Sequence, residues 1–232
     1  MNNFIIATQL SLDHDIASFM NKLLNNFGSF LTPILKFITI LGNFGTIFII
    51  LSLLFLLFTK TRKASIIALI ALLIGVITVS ITKIAVSRDR PFFDTNSDFY
   101  SWWLQAGAVK ESSYSFPSGH TTAATEFGVA LFISKNKKYS WLFLFIPLIM
   151  GFTRIYFIVH YFTDVCGGLI IGTISATISY FIAKNLLKIK LLNKAYYLPS
   201  SSISFPKKKK NKFSFQIIPV LYNYSFYKQY KN

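Results

Sequence analysis

Charged residues are scarce in this 232-residue chain: they make up 14 %, where an ordinary soluble domain has about 25 %. So few polar groups could not cover the surface of a soluble globular enzyme, so composition excludes that class. Disorder is excluded as well, because 17 % of the residues are aromatic and the apolar runs are long. A single cysteine, Cys166, excludes a disulfide framework and a metal site built from cysteines.

Acidic residues are the second shortage: there are 8, against 24 lysines and arginines, and the formal net charge is +16. None of the acidic residues lies at or beyond Lys184, whereas 11 of the basic residues do. Basic tails occur in nucleic-acid binders, but these lysines follow directly on an apolar run. We therefore expect no nucleic-acid partner and expect the tail to meet an anionic membrane face, at about 1 kcal/mol for each basic residue.

Long apolar runs occupy most of the remaining chain. A helix that crosses a membrane needs about 20 mostly apolar residues, because lipid offers no partner for backbone N–H and C=O groups. Five stretches meet or approach this length: 43–58, 64–84, 121–133, 139–159 and 165–183. The sequence therefore predicts an all-α integral membrane helical bundle with five spans.

Residues 1–42 are less uniformly apolar. Apolar side chains recur at helical spacing between Ile16 and Leu24, which predicts an amphipathic helix at the membrane interface. A sixth span over residues 27–41 is the alternative. The chain then divides into three parts, which are an N-terminal interfacial segment (1–42), a membrane domain (43–184) and a lysine-rich tail (185–232).

The distribution of basic residues predicts the orientation. Short connections rich in lysine and arginine face the cytoplasm in most membrane proteins. Two connections and the tail are basic here, at residues 60–63, 135–138 and 184–231. With five spans these regions fall on one side, so we expect a multi-pass cell-membrane protein with a cytoplasmic tail. Segment 85–118 and the turn near His160 then lie on the extracytoplasmic side.

Three motifs place cations and histidines at the ends of predicted spans, all on the extracytoplasmic side. They are Lys83, six residues and Arg90-Pro91; Pro117-Ser118-Gly119-His120; and Arg154, five residues, His160, three residues and Asp164. Charged groups in or beside lipid are costly and are usually functional. The topology therefore predicts that these side chains share one polar site.

The residue types in these motifs point to a phosphate ligand. Lys83, Arg90 and Arg154 supply three positive charges, and the planar fork of arginine fits phosphate oxygens. Ser118 and Gly119 mark a helix start, where free N–H groups and the helix dipole favour an anion. The pattern predicts a phosphate cradle that holds no metal.

The two histidines suit the steps that move protons. His160 could attack phosphorus through a neutral ring nitrogen, while Asp164, four residues later, reaches the other nitrogen. His120 could protonate the departing oxygen and later activate water. Each motif alone also fits a structural role, such as a snorkelling lysine or a capped helix start. Their order and their shared membrane face favour catalysis.

Together the three motifs resemble the signature of the type 2 phosphatidate phosphatase (lipid phosphate phosphatase) superfamily, in its bacterial membrane form. The resemblance covers residues 43–184, with Thr153 in place of the usual serine. It implies a helical bundle and hydrolysis without cofactor or metal through a phosphohistidine on His160. In that mechanism Asp164 orients the ring of His160, and His120 is the general acid. It implies phosphate contacts from five residues: Lys83, Arg90, Ser118, Gly119 and Arg154.

The predicted activity is hydrolysis of a terminal lipid phosphate at the outer membrane face. Phosphatidate, phosphatidylglycerophosphate and undecaprenyl diphosphate are the candidate substrates. Two alternatives use the same cradle: a catalytically silent lipid-phosphate binder or transport component, and a phosphotransferase. The presence of His120, His160 and Asp164 disfavours the silent binder, because binding alone needs no nucleophile.

Two charged residues close to the motifs carry separate expectations. Glu126 lies inside the third predicted span, where we expect it to contact a neighbouring helix, with a proton relay as the alternative. Arg88 is expected to form a local surface ion pair with Asp89.

Overall fold

The computed structural model describes residues 2–134 and 137–188, and every regular element within them is helical. This part of the chain forms eight α-helices: α1 (Asn2–Leu41), α2 (Thr46–Leu56), α3 (Thr59–Val86), α4 (Asp98–Gln105), α5 (Gly119–Ser134), α6 (Lys137–Ser140), α7 (Phe145–Tyr156) and α8 (Phe162–Leu186). Short 3-10 segments, Asn43–Gly45 and Trp141–Leu144, precede α2 and α7. The predicted tail beyond residue 188 lies outside the described residues.

Four helical stretches in the described residues are long and apolar enough to cross a membrane. They are Ser11–Leu41, Thr59–Val86, Lys138–Tyr156 and Phe162–Leu186. Helix α2 is a shorter apolar helix of 11 residues, and α5 has 16 residues. The prediction of an all-α, multi-pass membrane bundle is confirmed.

The predicted span 139–159 differs from the structure at both ends. Its first part is the short helix α6 followed by a 3-10 segment, and α7 ends three residues early. Beyond α7, Ile158 has a φ of 53°, in the left-handed region that a right-handed helix cannot contain. The resulting turn brings His160 to the start of α8.

Helix α5 lies at the centre of the bundle, packed against α3 and α8. Close approach of α8 depends on glycine: a Cβ on Gly172 would lie 2.6 Å from the Cβ of Thr125 and 2.7 Å from the carbonyl oxygen of Thr122. Small residues permit such contacts between membrane helices. The backbone N–H of Ser118 also donates to the Asp164 carbonyl, at 3.1 Å. These contacts hold the N-terminal ends of α5 and α8 side by side.

Helix α1 contacts the same end of the bundle at positions far apart along its length. Asp13 accepts a hydrogen bond from the N–H of Thr163 at the start of α8, while Thr39 accepts one from Arg154 near the end of α7. Residues 13 and 39 would be roughly 39 Å apart in a straight helix. Helix α1 therefore lies against the ends of α7 and α8. The interfacial position of α1 stays a prediction, with a sixth span as the alternative, because Ser11–Leu41 is long and apolar enough to cross a membrane. The division into three segments stays a prediction.

Candidate active site

His160 lies in the turn between α7 and α8, and its side chain is buried. Its Nδ1 lies 3.4 Å from Oδ2 of Asp164, and its Nε2 lies 3.3 Å from Nη1 of Arg90. An arginine nitrogen can only donate, so Nε2 accepts that hydrogen bond and the ring proton belongs on Nδ1, facing Asp164. The geometry therefore selects the tautomer whose Nε2 carries a free electron pair.

The electrostatics of this turn keep His160 neutral. Burial lowers the pKa of His160 to about 4; the hydrogen bond that His160 donates to Asp164 opposes this effect, while the cations Arg90 and Arg154 add to it. Burial also lowers the pKa of Arg90, to about 10, against the attraction of Glu111. At neutral pH the site therefore places an uncharged imidazole beside a charged guanidinium.

Asp164 is fully buried, and it accepts several hydrogen bonds besides the contact with His160. Its Oδ2 accepts from the N–H of Tyr161, at 2.9 Å, and from the hydroxyl of Ser115. Its Oδ1 accepts from Nη1 of Arg88, at 2.8 Å. Because Asp164 is the third residue of α8, the helix dipole also favours its negative charge.

Glu111 joins two of the predicted phosphate ligands. Its Oε2 lies 3.5 Å from Nη2 of Arg90, and its Oε1 accepts a hydrogen bond from Nη2 of Arg154. Arg90 further donates to the carbonyls of Ser113, at 2.6 Å, and Val159, at 2.8 Å. A carboxylate thus contacts both guanidinium groups from which the sequence predicts phosphate binding.

The N-terminal end of α5 carries the second motif. The hydroxyl of Ser118 lies 2.9 Å from that of Thr121 and accepts from the Thr121 N–H at 3.4 Å, so it caps the helix. Around Gly119, the nearest atom to an added Cβ would be 3.8 Å away, so this backbone is open to a ligand. Nε2 of His120 donates to Oδ1 of Asn43, at 3.0 Å, which fixes the ring.

A cavity of about 740 Å³ links these groups. Its polar lining includes Lys83, Arg90, Lys110, Gly119, His120 and His160, together with Glu111, Asn43, Ser112 and Ser113. Away from them it continues along α3, past apolar side chains that include Val79, Val76, Leu72 and Leu69. From residue 83 to residue 69 an α-helix extends roughly 21 Å. The cavity therefore combines a cationic end with an apolar groove long enough for part of a lipid tail.

The structure places the predicted site residues in two groups. Five of the eight line the cavity directly: Lys83, Arg90, Gly119, His120 and His160. Asp164 lies behind His160, the hydroxyl of Ser118 is used in the helix cap, and Arg154 bonds Thr39 and Glu111. The assigned roles of all eight residues stay predictions.

One sequence expectation near the site is wrong. Arg88 does not pair locally with Asp89; it bridges Asp164 and Asp13, at 2.8 Å and 2.9 Å. The pairing with Asp89 was inferred from proximity in the sequence, whereas the turn after α3 points this guanidinium toward α8. The position of Glu126 agrees with the expected contact to a neighbouring helix, since its side chain forms a hydrogen bond with Ser175 of α8.

Sequence analysis missed four further residues that hold the site together: Asp13, Asn43, Glu111 and Ser115. Each comes from a loop or from the N-terminal segment, outside the three motifs. The sequence held little signal for Glu111, which is one of four acidic residues in segment 85–118 beside three basic ones. In the part of the chain that the structure describes, no three His, Cys, Asp or Glu side chains cluster as metal ligands.

Comparisons with known proteins identify relatives of this chain. It is 34 % identical over 101 residues to the bacitracin transport permease protein BcrC of Bacillus licheniformis, covering 44 % of this chain and 49 % of that protein. It is 40 % identical over 60 residues to the undecaprenyl-diphosphatase BcrC of Bacillus subtilis (strain 168), covering 26 % and 31 %. The chain thus spans about half or less of the length of these curated relatives.

A solved structure and a family model cover more of the chain. The crystal structure of the first transmembrane PAP2 type phosphatidylglycerolphosphate phosphatase from Bacillus subtilis matches with a TM-score of 0.58 and 24 % identity, over 78 % of this chain and 89 % of that chain. That match supports the fold. The model of the PAP2 superfamily matches residues 64–188, more than half of the sequence and all three motifs. The chain belongs to the PAP2 superfamily.

Proposed function

We propose that this protein is a membrane phosphatase that hydrolyses the terminal phosphate of a lipid. The observation that carries the proposal is the neutral His160, oriented by Asp164 and facing a cavity that is cationic at one end and apolar at the other. A phosphate group suits the cationic end, and an acyl or prenyl chain suits the groove along α3. Relatives named as an undecaprenyl-diphosphatase and a phosphatidylglycerolphosphate phosphatase support this substrate class.

In the first step, Nε2 of His160 attacks phosphorus and the bond from phosphorus to the lipid oxygen breaks. Burial lowers the pKa of His120 to about 2, and the cations Arg154, Arg90 and Lys83 add to this effect, so its ring is neutral before the substrate binds. His120 takes up a proton from the phosphate monoanion of the substrate and donates it to the leaving oxygen, so the lipid leaves as an alcohol or, from a diphosphate, as a monophosphate. The phosphoryl group is then bonded to Nε2. Nδ1–H of His160 donates to Asp164, which stabilises the positive charge that develops on the ring.

In the second step, the neutral ring of His120 takes a proton from water, and the resulting hydroxide attacks the phosphohistidine. The phosphorus–nitrogen bond breaks, its electron pair returns to Nε2, and inorganic phosphate leaves. Lys83 and Arg90 stabilise the negative charge on the phosphoryl oxygens in both steps. One water is consumed for each phosphate released, and His120 passes its proton to the departing phosphate, so it ends the cycle neutral as it began.

We further propose that the site opens at the extracytoplasmic face and that the lysine-rich tail is cytoplasmic. The N-terminal end of α3 holds Lys60, Arg62 and Lys63, and the connection between α5 and α7 holds further lysines. Basic connections of this kind face the cytoplasm. The segment from 87 to 118 and the turn at His160 lie at the opposite ends of the same helices.

A lipid-phosphate binder or transport component is the alternative from a different class, and one relative is named a transport permease. Such a protein needs cations and a groove but gains nothing from the tautomer that Asp164 imposes on His160. A phosphotransferase would use the same two histidines with an acceptor other than water. Release of inorganic phosphate in water separates hydrolysis from both alternatives.

The test is a phosphate-release assay with purified, detergent-solubilised protein on phosphatidate, phosphatidylglycerophosphate and undecaprenyl diphosphate. We expect release from at least one lipid, unchanged by EDTA. His160→Gln should reduce turnover by about a thousandfold or more, because it removes the attacking atom. His14→Gln, the same change at a histidine on α1 that contacts Asp98, is the matched control and should keep activity.

Acid quenching with a labelled substrate should trap phosphohistidine in the active protein and none in His160→Gln. Normal turnover in that variant, while it still unfolds cooperatively, would remove His160 as the nucleophile. Loss of activity in EDTA with recovery in magnesium would point to metal-dependent hydrolysis. Binding of lipid phosphate without release would favour the binder.

A further inference from the structure

Asp13 is a buried carboxylate on α1 that the proposed reaction does not use. Only 1 % of its surface is exposed. Its Oδ1 accepts a hydrogen bond from the backbone N–H of Thr163, at 2.9 Å, and its Oδ2 accepts from the Thr163 hydroxyl, at 2.8 Å. Thr163 is the second residue of α8, and Asp164 is the third. Asp13, although it lies on α1, therefore caps the N-terminus of α8, where Asp164 also lies.

Arg88 connects Asp13 with the site. Its Nη2 donates to Oδ2 of Asp13, at 2.9 Å, and its Nη1 donates to Oδ1 of Asp164, at 2.8 Å, and to the Thr163 hydroxyl, at 2.7 Å. The guanidinium also lies over the ring of Tyr161, with its carbon 3.9 Å from the ring centroid. Four contacts from three elements therefore fix the position of this side chain.

The charges of Asp13, Arg88 and Asp164 explain why these three side chains depend on one another. Asp13 and Asp164 are buried carboxylates at one helix terminus, and the guanidinium of Arg88 lies between them. A buried charge that loses its partner is strongly destabilised. Oδ1 of Asp164 bonds Arg88, while Oδ2 faces Nδ1 of His160, so a rotation of this carboxylate would disturb the contact that selects the tautomer of His160.

We infer that Asp13 and Arg88 are positioning residues, which hold Asp164 in the orientation that aligns His160. The inference rests on the proposed phosphatase function. It also assigns α1 a part in the active site, although α1 lies outside residues 64–188, where the family model matches. A protein with the three motifs but without Asp13 would then keep its phosphate ligands and lose the alignment of its nucleophile.

A direct contact with substrate is the competing role for Arg88. A second cavity, of about 840 Å³, is lined by Arg88 together with Lys83, Arg90 and Glu111, so a ligand could reach this guanidinium. The two roles differ in what they change. A residue that binds the phosphate changes the affinity for the anion. A positioning residue changes the rate of phosphohistidine formation and leaves that affinity unchanged.

The experiment compares Asp13→Asn, Arg88→Gln, the double variant and Arg88→Lys in the full-length protein. The first two should lower kcat by at least about tenfold, while KM and the inhibition constant of orthovanadate stay within about twofold of the unsubstituted protein. The double variant should be no slower than Arg88→Gln, because both residues act through one chain of contacts. Arg88→Lys should recover part of kcat, since it restores the charge without the fork.

Asp15→Asn is the matched control: Asp15 lies on the same helix with an exposed side chain, and the same chemical change should leave kcat unaltered. Equal kcat values for Asp13→Asn and Asp15→Asn would overturn the inference. A rise in the orthovanadate inhibition constant of Arg88→Gln that matches the fall in kcat would assign Arg88 to the substrate instead.

The ¹⁵N NMR signals of the histidine rings give a readout that does not depend on turnover. The Nδ1 and Nε2 signals of His160, assigned with His160→Gln, should shift in Asp13→Asn and stay in place in Asp15→Asn. Unchanged signals in Asp13→Asn overturn the positioning role, even in a protein that releases no phosphate. If the unsubstituted protein releases none while the signals shift, the proposed hydrolysis fails and the positioning of His160 holds.

Discussion

Charged residues in this site neutralise one another in pairs and triads. Glu111 shows this best, because its two carboxylate oxygens contact Arg90 and Arg154. A phosphate that binds both guanidinium groups must displace this carboxylate, since the anions repel each other and compete for the same donors. We therefore expect Glu111 to compete with a phosphate ligand for these donors.

Replacing Glu111 by Gln should strengthen the binding of phosphate-like anions. The variant keeps the side-chain shape and removes the competing charge, so we expect the inhibition constant of orthovanadate to fall by about tenfold, a change of about 1.4 kcal/mol. Asp94→Asn, in the same segment between α3 and α5, is the matched control and should leave the inhibition constant unchanged. Weaker orthovanadate binding in Glu111→Gln would show instead that Glu111 holds the arginines in place for the substrate.

Sequence spacing predicted the contacts that lie within one motif and missed those between elements. His160 and Asp164 are four residues apart, and their facing atoms lie 3.4 Å apart as expected. Asp13 and Thr163 are 150 residues apart, and no periodicity links such positions. The pairing of Arg88 was wrong for the same reason, because a sequence shows only which charges are neighbours along the chain.

At the scale of helices, the contact between α5 and α8 determines where His120 and Asp164 lie. Both side chains are near the N-terminal ends of their helices, so the distance between the helix axes controls their separation. Gly172 allows that approach, and a side chain there would meet the backbone of α5 as well as Thr125. Backbone atoms cannot move aside as a flexible side chain does, so the two helices would have to separate.

Gly172→Ala should therefore destabilise the protein by about 1–3 kcal/mol, as overpacking in a core does. Its melting temperature in detergent should fall by about 2–4 °C for each kcal/mol. Activity should fall as well, because His120 and Asp164 are carried on the two displaced helices. Gly28→Ala on α1 is the matched control, since its added Cβ would meet only the flexible ends of Leu24 and Thr32. A similar loss of stability and activity in both variants would argue against a specific contact between α5 and α8.

Helix boundaries were predicted well where the apolar pattern is continuous, as for α3 and α8. The long helix α1 was harder, because its length and composition allow both an interfacial position and a span. Its tertiary contacts bring Asp13 and Thr39 to residues beside the site, and the choice between the two positions stays a prediction. The exposed face of α1 is apolar and aromatic, with Phe19, Phe30 and Phe37, as expected for a helix that dips into lipid.

For the whole molecule, apolar side chains face outward on most of the long helices. Examples with more than half of their surface exposed are Phe30, Leu73, Val76, Ile84, Ile170 and Phe181. Such a surface would aggregate in water, and lipid is the environment that covers it. The site occupies one end of the bundle, beside the helix ends that the acidic segment connects, while the basic connections lie at the other end.

This asymmetry predicts which end faces the cytoplasm, and cysteine labelling in intact bacterial cells can test it. Asn96→Cys, in the segment between α3 and α5, should react with an impermeant maleimide added outside. Lys60→Cys, at the N-terminal end of α3, should react only after the membrane is opened. Both variants carry Cys166→Ser, so that the added thiol gives the signal. Labelling of Lys60→Cys in intact cells, with Asn96→Cys protected, would invert the orientation and place the phosphate site at the cytoplasmic face.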